Sequence, residues 1–415
     1  MMDLLVERVC GLDVHRDEVA ACARTPSMKR AGARLTSQAR FKTHGVGLQE
    51  MVTWLRDLDV SVVAMEATGV YWRPVYYALE DAGIEAKLVN AAHIKNVPGR
   101  KTDTADAAWI CQLAEHGLLN ASFVPPDGIR ALRELCRYRK SLIHERGRVI
   151  QRLEKICQDG GVKLTSVTSA VLTKTGRAII EALIGGEHDP AVLADLARGR
   201  LRPKIGQIEE ALVHRWRPHH GVVAAAGLAH LDALDVQIAQ VSAAIVVARE
   251  PYEWAIELLC TIPGVEVRSA ETIVSEIGVD MSVFPSAGHL ASWAGMCPGN
   301  NESAGKHGPG FTRPGAPWLR QGLIEVAHAV ARTKGNHLTE RHRRIRARRG
   351  PKRAAVATGH AVLIAVWHIL DRHTAFENLG VDYNSRRHDP EAETRRLISR
   401  LEHLGHHVTL ATADA

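Results

Sequence analysis

The sequence predicts an α/β domain on a mixed sheet, then long helices of coiled-coil character, then a mostly α-helical C-terminal domain. Two observations carry this. The first 125 residues open with three short β-rich segments and pass into strand–helix alternation. From residue 127 onward, apolar residues recur at helical spacing. Hydrophobic residues make up 46% and aromatics only 5%, so packing rests on Leu, Ile, Val and Ala, which suits helices.

In order, "VERVCGLDV", "VAACART" and "ARLTSQARFKT" read as strands, the first two joined by a turn at "HRDE". Next come a helix ("GLQEMVTWLRDL"), a buried strand ("VSVVAME"), a helix ("VYWRPVYYALEDAG") and a strand ("IEAKLVN"). After a loop rich in Lys, Pro and Gly, "TADAAWICQLAEHGLL" gives a further helix. The domain is expected to span 1–125, ending at "VPPDG". A helical region is expected over 126–258. In it Ile129, Leu132, Leu135, Leu142, Val149, Leu153 and Ile156 form a stripe, and a second long helix covers 221–258. Either an ordinary bundle or a coiled-coil arm at a dimer interface fits. A C-terminal domain is expected over 259–383. Its opening, "LCTIPGVEVRSAETIVSEIG", reads as a helix–hairpin–helix with Glu266 where a second glycine is usual, and an acidic side chain there weakens a phosphate-binding turn. Residues 384–415 are a polar tail with one short helix at Leu397, Leu401 and Leu404.

The formal charge is +7, concentrated in "TERHRRIRARRGPKR" at 339–353 and in 129–155, which points to a polyanionic partner. Seven cysteines without a C-x-x-C pair argue against a disulfide scaffold or a zinc ribbon. The apolar run 354–370 is interrupted by Thr358, His360 and His368, so it reads as a core helix rather than a membrane span. No export signal is legible, and a cytoplasmic protein without a membrane partner is expected. His219, His220, His360 and His368 lack the i, i+4 pairing of a zinc helix and read as surface or satisfied histidines.

Four carboxylates stand out in the first domain. Asp13 lies in the first strand, Glu66 ends the buried strand, and Asp103 and Asp106 share one face at the start of a helix. Strand ends gathered at one sheet edge form a ligand crevice. Such acids suit Mg²⁺, and a metal pair can stabilise both the attacking and the leaving oxygen of a phosphoryl transfer. Singly, each has a structural explanation: Asp103 as an N-cap, Asp106 as a first-turn acid, Asp13 as a turn residue. Glu66 has the weakest one, because a carboxylate after "SVVAM" is costly if buried unpaired. The second constellation is "PGNNESAGKHGPG" at 298–310, where Ser303 sits among glycines with nothing to bury. It departs from a nucleotide-binding P-loop: one residue too many separates Gly299 from Gly305, and His307 replaces Ser or Thr.

The order Asp13, Glu66, Asp103, Asp106 resembles the Asp-Glu-Asp-Asp set of a RuvC-like (ribonuclease-H-like) nuclease domain. "CTIPGVEVRSAETIVSEIG" and "WAGMCPGNNESAGKHGPGFTRPGAPWLRQ" resemble the C-terminal domain of the bridge-RNA-guided transposases of insertion-sequence family 110, over about residues 6 to 375. The resemblance implies a DNA transposase or recombinase guided by a structured non-coding RNA that pairs with donor and target DNA. It implies Mg²⁺ on the four acids, Ser303 as the nucleophile forming a phosphoserine link, and a homo-oligomer from dimer to tetramer. Lys306, Arg313 and Arg320 would then balance phosphate charge, and Arg343, Arg344 and Arg346 would bind nucleic acid. Pro314 and Ala316 depart from the family pattern, which more often has a basic residue and Asn there. Two other readings remain: a junction-resolving metal nuclease in which water attacks, and a non-catalytic nucleic-acid-binding protein.

Overall fold

The computed structural model describes residues 5–28, 32–67, 69–90, 106–297, 302–303, 306–307, 312–383 and 390–410. The chain divides into two compact units, Met1–Val124 and Pro125–Ala415.

The first unit is built on a five-stranded mixed sheet. Its elements are β1 (Val9–Val14), β2 (Glu18–Pro26), β3 (Arg34–Lys42), α1 (Gly45–Asp57), β4 (Val62–Glu66), α2 (Trp72–Asp81), β5 (Glu85–Val89) and α3 (Asp106–Glu115). The strand order is β3-β2-β1-β4-β5. β1, β2 and β3 form an antiparallel meander, and β4 and β5 add parallel to β1. The layers of this mixed sheet follow from strand alternation. Cys10, Leu12, Val14, Val63 and Met65 face α1 and α2, where they bury Met51, Leu55, Val75 and Leu79. Val9, Cys22, Ala64 and Val89 face the other way, onto Ile110, Cys111 and Ala114 of α3.

Gly11 sets how closely α3 approaches. A Cβ there would collide with the Ala107 carbonyl and the Cys111 amide, so the helix backbone lies directly on β1. We expect Gly11→Ala to destabilise the first unit by about 1–3 kcal/mol, as overpacking does. Urea unfolding checks this, and an unchanged midpoint would contradict it.

The second unit is helical. It contains α4 (Asp127–Asp159), α5 (Lys174–Ile184), α6 (Pro190–Asp195), α7 (Ile205–Ala211), α8 (Pro218–Arg249), α9 (Glu253–Cys260), α10 (Val267–Ile277) and α11 (Ala287–Trp293). A two-stranded hairpin follows, β6 (Glu302–Ser303) and β7 (Lys306–His307), then α12 (Pro317–Val330), α13 (His337–Arg349), α14 (Pro351–Arg372) and α15 (Pro390–His403). The pairs Glu145–His230 and Asp159–His220 fix α4 and α8 as antiparallel neighbours. Leu142, Val149 and Leu153 of α4 meet Leu228, Leu231 and Leu234 of α8 in a core that α5 to α7 complete. The expected helix over 221–258 is in fact two helices. The chain breaks at Glu250–Tyr252, where Pro251 has no amide hydrogen to donate. By length and composition, Pro218–Cys260 and Pro351–Arg372 are both apolar enough to cross a membrane. α14, however, buries Val362, Leu363, Val366 and Leu370, as a core helix does.

Candidate active site

Asp13, next to last on β1, and Glu66, last on β4, lie at the C-terminal ends of neighbouring parallel strands. Leu12 pairs with Met65, so the next residue along each strand is Asp13 on β1 and Glu66 on β4. Neighbouring strands lie about 4.8 Å apart, and paired residues point to the same face. That face is α3's, because Asp13 is two residues beyond Gly11 and Glu66 two beyond Ala64.

The direction of α3 places Asp106. The helix's last residue, Glu115, accepts backbone hydrogen bonds from Leu5 and Val6 at 3.1 and 3.2 Å. Its carboxylate, 1% exposed, is held by Arg24 at 3.0 Å and Arg34 at 2.6 Å. One turn earlier, the Cys111 thiol donates to the Val9 carbonyl at 3.5 Å, and Ala107 lies over Gly11. α3 therefore runs antiparallel to β1, and its N-terminal Asp106 comes to the strand end that carries Asp13 and Glu66. Three of the four sequence-predicted acids thus share one sheet edge. Asp103 lies outside the described residues.

These acids are gathered but not closed on one another. The Asp13 carboxylate meets His15 Nε2 at 3.1 Å. Among the described residues, the group of three whose ligand atoms all lie within 4.8 Å of one another is Asp159, His219 and His220, not the sheet-edge acids. The donor set at the edge is carboxylate oxygen, which fits a hard divalent cation. The Asp159 cluster fits one poorly. His220 Nδ1 accepts the Arg217 amide at 2.9 Å, so Nε2 carries the proton and donates to Asp159 at 2.9 Å. This bond chiefly holds the Asp159 carboxyl below its ordinary pKa. His220 is a satisfied structural histidine that fastens α8 to the end of α4.

The segment with Ser303 belongs to the second unit. Ser303 ends β6 and pairs with Lys306 of β7, and Glu302 pairs with His307. A two-residue connection therefore carries the chain from the serine to the lysine. The preceding Pro263-Gly264 turn packs inward. Gly264 has φ +82°, and a Cβ there would lie 2.6 Å from the Val330 amide nitrogen of α12. That glycine serves close helix packing.

Arg313 is exposed, and Arg320 donates to the Thr312 hydroxyl at 2.7 Å. On α13, Arg343 pairs with Glu340 at 2.7 Å, Arg344 is half-buried and Arg346 exposed. The other basic run is largely structural. Arg137 holds the buried Glu276 through two bonds of 2.7 and 2.8 Å and lies over the Trp318 ring. Arg139 holds the buried Glu271, Lys140 meets Glu325 at 3.1 Å, and Arg146 pairs with Asp235. These partners lie far along the chain, so spacing within 129–155 gave no sign of them.

Residues 10–159 match the family model DEDD_Tnp_IS110, described as a transposase. Residues 256–343 match a second model, described as transposase IS116/IS110/IS902 family. A protein of Sinorhizobium fredii (strain NBRC 101917 / NGR234) named "Putative transposase y4pF/y4sB" is 24% identical over 357 residues, covering 81% of this chain and 82% of its own. Among solved structures, Thermus thermophilus RuvC aligns at 16% identity and a TM-score of 0.22, over 28% of this chain and 99% of its own. RuvC in complex with a Holliday junction substrate aligns at 13% identity and a TM-score of 0.21, with the same coverage. The two family models lie on either side of the α5–α8 helices, together span more than half of the chain and name the same kind of protein: the chain belongs to the IS110 family of transposases.

Proposed function

We propose that this transposase cuts and rejoins DNA through a covalent phosphoserine link at Ser303, with Mg²⁺ held by Asp13, Glu66, Asp103 and Asp106. The observation that carries the reading is the convergence of Asp13, Glu66 and Asp106 at one sheet edge, set by β1–β4 register and by the direction of α3. Gly11 is central to it, because only a bare Cα lets the helix bring its first-turn acid that close.

Bound there, Mg²⁺ would supply Lewis-acid polarisation of the scissile phosphate and lower the pKa of an attacking hydroxyl. A serine hydroxyl is otherwise a weak nucleophile. In the attack, Ser303 Oγ forms a bond to phosphorus and the bond from phosphorus to the leaving deoxyribose oxygen breaks. The hydroxyl proton passes to a base, and the leaving oxygen is protonated. The phosphodiester is exchanged rather than hydrolysed, so the reverse step can rejoin a strand. Lys306, Arg313 and Arg320 balance phosphate charge around the serine, and Arg343, Arg344 and Arg346 contact the nucleic-acid backbone.

The partners are donor and target DNA and a structured guide RNA whose base pairing selects the sequence, in the cytoplasm. A homo-oligomer, dimer to tetramer, brings the segments together. Val222, Val236 and Val247 lie exposed along one side of α8, which suits such an assembly.

The test is incubation of protein, RNA and DNA with Mg²⁺. Protein joined to DNA, and lost in Ser303→Ala, is the expected result. Free cut ends that survive Ser303→Ala would replace this reading with the water-dependent nuclease, and no cutting in either form would leave a non-catalytic binding protein.

A further inference from the structure

A cavity of about 480 Å³ lies in the second unit, between α13, α14 and the segment that follows α14. Its size falls within the range of about 300–1,000 Å³ typical of small-molecule sites. Arg341 of α13 and Arg372, His360 and His368 of α14 line it, with Ala361, Ile364 and Ala365 as an apolar floor. The facing wall is aromatic. Phe376 stacks on His337 with ring centroids 5.5 Å apart and an interplanar angle of 12°, and Tyr383 meets the same imidazole at 5.6 Å.

This wall is built rather than draped. The Phe376 amide donates to the Thr261 hydroxyl at 2.8 Å, Asn378 donates to the Gly335 carbonyl at 2.9 Å, and the Leu379 amide donates to His337 Nδ1 at 3.3 Å. The segment after α14 is thereby tied to α13 and to the start of the helical hairpin.

The lining carries positive charge that the protein does not neutralise. Arg341 and Arg372 have no ion-pair partner among the described residues. Nε of Arg341 and Nδ1 of His368 are shielded from solvent without a hydrogen-bond partner. An acceptor oxygen in the cavity would face the guanidinium groups of Arg341 and Arg372 that line it. Burial first, and then the Arg341 charge, push His360 below its ordinary pKa. Glu377 is the one carboxylate among the described lining residues.

Cationic groups facing an aromatic wall fit a ligand that is both anionic and planar. A nucleotide is such a ligand, since every base offers a π-face and every phosphate an acceptor. A paired, stacked base in a duplex has no free face to offer the aromatic wall. A phosphate-binding group is also at hand: Arg344 stands one turn along α13 from Arg341, on the neighbouring part of the same face. We propose that this cavity is a binding site for one unpaired nucleotide, its phosphate between Arg341 and Arg372 and its base against the Phe376–His337–Tyr383 wall. The inference rests on the reading of the protein as acting on DNA, and not on the role of Ser303.

The test compares binding of the full-length protein to a blunt DNA duplex and to the same duplex with a short single-stranded tail. The tail is deoxyribonucleotide in one arm and ribonucleotide in another. We expect tighter binding of at least one tailed duplex by about tenfold, the scale of one stacked base, and the sugar with the larger gain names the strand. Arg372→Ala and Phe376→Ala should each erase most of that gain, and so should an abasic tail, while blunt-duplex binding stays as in the wild type. Tailed and blunt duplexes binding alike, or a gain that survives both substitutions, would overturn the cavity assignment and leave the DNA reading standing. Failure of the wild type to bind any of these duplexes would overturn both.

Discussion

Replacing Glu66 with glutamine is expected to lower DNA strand cutting by about a thousandfold while leaving the fold intact. The size follows from the chemistry. A metal-binding carboxylate helps to secure several kcal/mol of charge stabilisation in a phosphoryl-transfer transition state, and about 1.4 kcal/mol corresponds to each factor of ten. Glutamine keeps the shape and loses the charge. Glu66 sits at the last position of β4, only partly buried, and its backbone pairing with Val89 does not depend on its side chain. Thermal unfolding and binding to uncut DNA should therefore match the wild type. Cutting assayed over a range of Mg²⁺ concentrations checks the prediction. A loss confined to low Mg²⁺ supports a ligand role, and so does a loss at every concentration. Activity within tenfold of the wild type throughout would remove Glu66 from the site.

Glu271→Ala should cost about 3–5 kcal/mol of stability, the range for removing one partner of a buried ion pair. The Glu271 carboxylate is 3% exposed and is shared by Arg139 from α4 and Arg249 from α8, the latter at 2.8 Å. Alanine leaves two guanidinium groups with their common acceptor gone. Glu276, also buried, is held by Arg137, and Arg133 donates to the backbone carbonyl of Ser275 at 2.9 Å. α10, between the helical hairpin turn and the serine segment, is therefore fixed to α4 largely by charge. Glu271→Gln keeps an acceptor and should lose less. Urea unfolding followed by far-UV circular dichroism distinguishes the two, and a shift below about 1 kcal/mol for the alanine variant would show that the network carries little of the stability.

Much of this architecture is legible in the sequence because it depends on local periodicity. The change from β-rich segments to strand–helix alternation, and then to helical spacing at Ile129, Leu132, Leu142, Val149 and Leu153, reports which face of each element meets a core. The order of Asp13, Glu66 and Asp106 points to one sheet edge, since two of them lie at strand ends and the third begins a helix. What periodicity does not carry is long-range pairing. Nothing around Arg137 or Arg139 says that Glu276 and Glu271, over 130 residues away, will take their charge, so the 129–155 run reads as a polyanion surface. Nor does "CGLD" announce that Gly11 is a contact point for α3, because the colliding atoms come from residues 107 and 111. The cavity beside α13 is hidden for the same reason: Arg341, Arg372 and Phe376 come together only through tertiary packing. The break at Pro251 was local, and proline's missing donor is enough to place it. The packing of the Pro263-Gly264 turn on α12 is equally hidden, because Val330 lies 66 residues further along the chain.

The proposed reaction requires the acidic sheet edge and the Ser303 segment to act on one DNA phosphorus. The most direct measurement is mass-spectrometric mapping of the protein–DNA adduct formed in Mg²⁺, with wild-type protein and the Asp13→Asn variant side by side. A deoxynucleotide attached to the peptide containing Ser303, abundant in the wild type and absent from Asp13→Asn, is the predicted result. An adduct on any other residue, or one that forms equally well without the Asp13 carboxylate, would contradict it.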